Sequence, residues 1–211
     1  MKPFIPKHYA DNDTARLHEF IRARGFAHVI VNAGGAPLIG HAPVVLHDGQ
    51  GALGAAHFHF AKENPVCEPL SAGAETLLLF AGPDTYISPD WYAAPGRVPT
   101  WNYAAVYARG RPRTLNKDEL YEVLEELSAE HERKLLPKKP WTMDKAPPGS
   151  IAGFLPRIVG YELAFESLDG KFKLSQDKTQ ADREGVTRAL RAGGDPVAAA
   201  VAALMDRHNK R

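Results

Sequence analysis

The sequence predicts a mainly β chain with flanking helices, an α+β fold built on an antiparallel barrel or sandwich. Short apolar stretches separated by glycine turns run through the first half, with turns at Ala33-Gly34-Gly35 and Asp48-Gly49-Gln50-Gly51. Beyond Val159 the pattern alternates strictly. Val159, Tyr161, Leu163 and Phe165 fall on one face and Gly160, Glu162, Ala164 and Glu166 on the other, the period of a half-buried strand. Helix signals fall at the start of the chain and in its second half.

A first helix is expected over about 11–24, opened by Asp11, Asn12 and Asp13, with Leu17, Phe20 and Ile21 on its apolar side and Gly25 ending it. Strands follow over Phe26 to Asn32, Leu38 to Leu46 and Ala52 to His59. Thr76 to Ala81 reads as a doubly covered strand and Asn102 to Arg109 as the next. Asn116 caps a helix over about 116–135, with Asp118 and Glu119 in its first turn and Leu120, Val123, Leu124 and Leu127 on one side. Asp169-Gly170 turns the alternating strand back. Thr179-Gln180-Ala181-Asp182 resembles a capping box for a helix over about 179–191, and Asp195-Pro196 opens one over about 195–208. We read residues 1–211 as one domain with core strands over about 26–110 and 157–175.

Composition narrows the function classes. The 211 residues carry 26 basic and 25 acidic side chains, and this near balance lacks the basic stripe through which DNA-binding domains neutralise phosphates. The densest basic run, Arg133-Lys134, Lys138-Lys139 and Lys145, follows Glu130 and Glu132 and reads as a solvated helix end. No apolar run approaches the roughly 20 residues of a membrane span, and Met1 to Pro6 has no leader-like stretch. The single cysteine, Cys67, fits a reducing cytoplasm. Its setting, beside Glu68 and away from any helix start, makes it structural. No Gly-x-Ser-x-Gly elbow, Walker lysine motif or Gly-x-Gly-x-x-Gly loop occurs. His57 and His59 share a strand face, and His41 could join them, but no carboxylate or thiolate accompanies them at a metal-binding spacing, so no metal site is expected.

Three polar clusters sit where strands end: His59-x-x-Lys62-x-Asn64-Pro65, Pro99-Thr100-Trp101-Asn102-Tyr103 and Lys171-Phe172-Lys173-Leu174-Ser175-Gln176. Strand alternation gives Trp101 and Tyr103 one face and Thr100 and Asn102 the other. Taken alone, the aromatics read as core fillers and the lysines as surface charge. Taken together, the clusters suit a flat, partly polar ligand that carries an anion.

These segments also carry a resemblance. With Phe4 to Ala10, His41-Ala42-Pro43 and Gly82-Pro83-Asp84-Thr85-Tyr86-Ile87-Ser88-Pro89-Asp90-Trp91-Tyr92, they resemble, in order along nearly the whole chain, the PaiB-like family of negative transcriptional regulators with an FMN-binding split β-barrel. Phe58, Lys62 and Asp177 stand where that family usually has Gly, Arg and Asn, the first two beside the expected anion site. The resemblance implies FMN in a groove between two subunits of a homodimer. The phosphate would then meet Lys62 and Lys173, with Ser175 and Gln176 as hydrogen-bond partners. Trp101, Asn102 and Tyr103 would meet the flavin ring, joined by His41, Pro43 and His59.

Two function classes follow. One is a cytoplasmic flavoprotein of the PaiB type that senses a flavin or redox state and acts on transcription, directly on DNA or through a regulatory partner. The other is a flavin-dependent oxidoreductase, or a haem-handling enzyme, on the same barrel. The sequence shows neither a substrate acid or base for the second nor a DNA-reading element for the first.

Overall fold

The computed structural model describes residues 3–209; Met1 and Lys2, at the end read as carrying no leader, lie outside them. In chain order the elements are β1 (Ala10–Asp11), α1 (Thr14–Arg24), β2 (Phe26–Val31), β3 (Leu38–Pro43), β4 (Val45–His47), β5 (Ala55–Ala61), α2 (Cys67–Ser71) and β6 (Thr76–Ile87). They continue with β7 (Thr100–Gly110), β8 (Pro112–Thr114), α3 (Lys117–Arg133), α4 (Ser150–Phe154), β9 (Ile158–Ala164), β10 (Ser167–Lys173), α5 (Gln180–Ala192) and α6 (Pro196–Asn209). The fold is α+β, with antiparallel sheets. The chain divides into two compact units. A central unit comprises Thr14–Phe80 and Tyr107–Leu168, and a terminal unit comprises Met1–Asp13, Ala81–Val106 and Asp169–Arg211.

In the central unit β2 lies between β3 and the first half of β6, in registers running from Phe26↔Pro43 to Val31↔Leu38 and from His28↔Leu79 to Val31↔Thr76. A second sheet runs β4-β5-β9-β8, with Val45 opposite His57 and Phe58 opposite Tyr161. The continuous strand expected over Leu38 to Leu46 is therefore two strands in two sheets. Pro43, which has no N–H to give a ladder, ends β3, and the Val44 N–H turns aside to the Gly25 carbonyl at 3.0 Å. Helix α3 begins as its sequence predicts. Asn116 accepts from the Asp118 and Glu119 N–H groups at 2.9 and 3.0 Å, and Glu119 accepts from the Asn116 N–H at 2.7 Å, a complete capping box. Its Leu120 packs with Leu155 and Ile158. Cys67, read as lying away from any helix start, opens α2. It is buried and its Sγ donates to the Ala61 carbonyl at 3.4 Å.

In the terminal unit β1 pairs with β10, and β10 is followed by the first half of β7 and the second half of β6. Helices α5 and α6 bury Val186, Leu190, Val201 and Met205. Thr179 caps α5 by accepting from the Asp182 N–H at 3.2 Å, so half of the expected capping box forms. The other half does not, because the buried Asp182 carboxylate accepts instead from the Ala94 N–H at 3.0 Å and from Arg97 at 2.6 Å.

Candidate functional site

The end of β5 builds a cleft in the central unit. The Lys62 N–H donates to the Arg157 carbonyl at 2.8 Å, which brings two cationic side chains to one rim just where β9 begins. The side chains of Asn64 and Cys67 fasten the turn that follows, through the Val66 N–H and the Ala61 carbonyl. On the β3 side, Gly40 lets the Phe60 ring lie close against the backbone. A Cβ at Gly40 would sit 2.6 Å from that ring, closer than carbon atoms approach. The cleft encloses about 810 Å³ and is lined by His41, Pro43, His59, Lys62, Phe154 and Arg157, among others. That volume is within the usual range for cofactor sites, which is about 300–1,000 Å³.

His59 is the chemically informative residue here. Burial pushes its imidazole below the ordinary histidine range, so the ring is neutral near pH 7. Its Nδ1 is buried and has no hydrogen-bond partner among the described residues. An orphaned polar atom in a cleft wall is costly unless a ligand meets it. Two cations at the rim, apolar Pro43 and Phe154 on the walls and an unmatched imidazole nitrogen fit a flavin phosphate with part of its ring system.

Six of the ten predicted site residues fall in the terminal unit. Asn102 is 1 % exposed and donates to the Ser175 hydroxyl at 3.0 Å. Lys173 donates to the Thr100 hydroxyl. Asn102, Lys173 and Ser175 line a smaller cleft of about 290 Å³ together with Tyr9, Tyr92 and Lys178. Trp101 and Tyr103 project from the other face of β7, as strand alternation requires. Trp101 stands edge-on to Tyr86 with centroids 6.4 Å apart, and Lys171 lies 5.5 Å from the Tyr103 ring centre. Gln176 folds back on its own strand, accepting from the Leu174 N–H at 2.7 Å and donating to the Phe172 carbonyl. The structure thus groups His41, Pro43, His59 and Lys62 in one cleft and Asn102, Lys173 and Ser175 in another.

Phe58, expected beside the anion site, points away from it. Its neighbour His59 takes the cleft side, and Phe58 is fully buried against Tyr161 with centroids 5.7 Å apart. Sequence reasoning missed Arg157 and Phe154. Their signal was faint: an arginine directly before the alternating strand, whose first residue, Ile158, pairs with Ala61 beside Lys62. His41 stands edge-on to His28 at 4.9 Å and shares its cleft with His59, while His57 lies against His47, so the three histidines weighed for a metal do not gather as one set. Among the described residues no group of three or more His, Cys, Asp or Glu side chains could hold a metal ion.

Residues 3–167 match the family described as "Putative FMN-binding domain". That span contains every residue named in the central cleft and stops short of Lys173 and Ser175. Protease synthase and sporulation protein PAI 2 of Bacillus subtilis is 31 % identical over 207 residues, which is 96 % of each chain. The fold is similar to that of an FAD- and heme-binding protein from Mycobacterium smegmatis, with a TM-score of 0.58 and 14 % identity over 89 % of this chain and 80 % of that one. It is also similar to the conserved hypothetical protein Rv2991 from Mycobacterium tuberculosis, with a TM-score of 0.59 and 10 % identity over 84 % and 95 % of the two chains. With its family match over most of its length and a relative at 31 % identity along nearly all of it, the chain belongs to the PaiB-like family of FMN-binding split-barrel proteins.

Proposed function

We propose that the central cleft holds FMN, with the phosphate at Lys62 and Arg157 and the flavin toward Pro43, His59 and His41, and that flavin occupancy or redox state is the signal the protein reports. The observation that carries the site is the pairing of Lys62 and Arg157 on one rim, tied by the backbone hydrogen bond between them. FMN, when bound, supplies reversible redox chemistry. The chain itself contributes charge at the rim, apolar walls that exclude water and a neutral imidazole whose free nitrogen can meet a polar ligand atom.

The regulatory reading is supported by the name of the Bacillus subtilis relative, which ties that protein to protease synthesis and sporulation. Action through a protein partner suits this chain better than direct repression. Its formal net charge is +1, and two lysines of its densest basic run are engaged by acids, Lys134 with Glu130 at 3.4 Å and Lys138 with Glu132. The test is a titration of purified protein with FMN and with riboflavin, followed by absorbance and flavin fluorescence, and with duplex DNA, followed by anisotropy. Saturable FMN binding that is tighter than riboflavin binding supports the reading. Absence of FMN binding refutes the site, and tight, steeply salt-dependent DNA binding refutes action through a partner.

A further inference from the structure

The smaller cleft, in the terminal unit, has no role in the proposed flavin site, whose phosphate cations, Lys62 and Arg157, belong to the other unit. Lys173, Ser175 and Gln176, which the resemblance placed at the phosphate, lie in the terminal unit. Two features mark the smaller cleft as a built site. Tyr92, in its wall, is 8 % exposed, yet its buried hydroxyl has no hydrogen-bond partner among the described residues. A buried hydroxyl without a partner is costly, and a ligand acceptor at this spot would recover that cost. Ser175 holds a φ of 63°, in the left-handed region that residues other than glycine seldom occupy. That strained backbone turns its hydroxyl onto Asn102 at the floor of the cleft.

The charges define the ligand. Arg97 is paired with Asp182 at 2.6 Å, and Lys178 with Asp177. Lys173 meets the Thr100 hydroxyl and has no carboxylate partner among the described residues. One positive charge is therefore uncompensated. Val98 and Pro99 supply an apolar lip. We propose that this cleft binds a small organic monocarboxylate, whose oxygens accept from Lys173 Nζ and Tyr92 Oη while its hydrocarbon part rests on Val98 and Pro99. A phosphate dianion would leave one negative charge unmatched.

Calorimetric titration of the full chain with benzoate, acetate and inorganic phosphate tests this, in parallel with FMN titration. Benzoate should bind saturably and more tightly than acetate or phosphate. Lys173→Ala should weaken benzoate about tenfold and Tyr92→Phe about threefold, each leaving FMN affinity within about twofold; Lys62→Ala should do the reverse. Lys173→Met, which keeps the packing of the stem, serves if the alanine variant fails to fold. A wild-type protein that takes none of these carboxylates at millimolar concentration overturns the proposal. So does phosphate bound as tightly as benzoate, or FMN binding lost with Lys173, which would make the cleft part of the flavin site. Failure of FMN to bind the wild type would refute the flavin site alone and leave the benzoate result readable.

Discussion

His47 and His57 stack with ring centroids 4.0 Å apart and planes 28° from parallel, each held against a carboxylate. His47 Nε2 lies 3.0 Å from Glu126, and His57 Nε2 lies 3.2 Å from both Glu162 and Gln50. Arg113 clamps Glu162 at 2.7 and 3.1 Å and reaches Glu119 on α3. The network joins β4, β5, β8, β9 and α3 in the central unit and stands two residues along β5 from His59.

This arrangement predicts an acid-sensitive step. Burial, reinforced by His47, lowers the His57 pKa from its ordinary value, and burial does the same to His59. Above about pH 6.5 both rings are neutral in the folded and unfolded chains, and the stability is fully present. As pH falls below that, the unfolded chain takes up protons that the folded chain resists, so stability is lost. The Arg113 guanidinium holds Glu162 and Glu119 below the ordinary carboxylate range, so their contribution fades in a separate window, below about pH 4.3. The melting temperature should fall between pH 7.5 and 5.5, and His57→Gln and His59→Gln should each reduce that fall. An undiminished fall in both variants would exclude these rings as its source.

At the rim of the proposed flavin cleft, Lys62→Ala and Arg157→Ala should each weaken FMN about tenfold, the effect of one charge-assisted contact, and change riboflavin by less than about threefold because it lacks the phosphate. Fluorescence titration of both ligands separates this from a general loss of the site. If FMN and riboflavin weaken equally, the two cations do not hold the phosphate.

Gly110 tests the packing of the central unit. A Cβ there would lie 2.1 Å from the Ala164 carbonyl oxygen, and a backbone atom cannot swing aside. Gly110→Ala should cost about 2 kcal/mol and lower the melting temperature by roughly 4–8 °C, whereas Gly49→Ala, with open space around it, should melt like the parent. Equal melting of the two variants would show that the strands part easily at Gly110.

Much of this molecule was legible from local chemistry. The helix cap at Asn116, with Asp118 and Glu119 in the first turn, is spelled by adjacent residues, and the buried Tyr161, Leu163 and Phe165 follow from alternation alone. What failed required partners distant in sequence. Nothing local to Asp182 reveals that Ala94 and Arg97 claim its carboxylate, 85 or more residues away. Nothing local to Leu38–Leu46 shows that Val44 bonds to Gly25 and splits the strand. The apolar run at Thr76–Ala81 reads as covered on both sides, yet Leu77 and Leu79 are only half-buried. The clusters at His59–Lys62 and Lys171–Gln176 were visible as polar residues at strand ends. Their division between two clefts was not, because it depends on which strands pair.

In the central unit Phe26 is 49 % and Ile39 57 % exposed, and Phe26 stacks on His41, which also lines the cleft proposed for FMN. In the terminal unit Trp101 is 52 % exposed beside Tyr86. Scattered apolar side chains are ordinary on a surface, but large ones next to a cleft mark places where a second chain can cover it. Two-fold pairing is the commonest association of soluble chains, and it would remove Phe26 and Ile39 from water while closing one side of the open cleft. The protein should therefore sediment at twice its 23.1 kDa chain mass at micromolar concentration. Ile39→Glu should shift it toward the monomer and weaken FMN in step, because the charge would have to be buried in the interface. A monomeric wild-type protein that binds FMN tightly, or an Ile39→Glu variant that dissociates with unchanged FMN affinity, would show that each chain closes its own cleft.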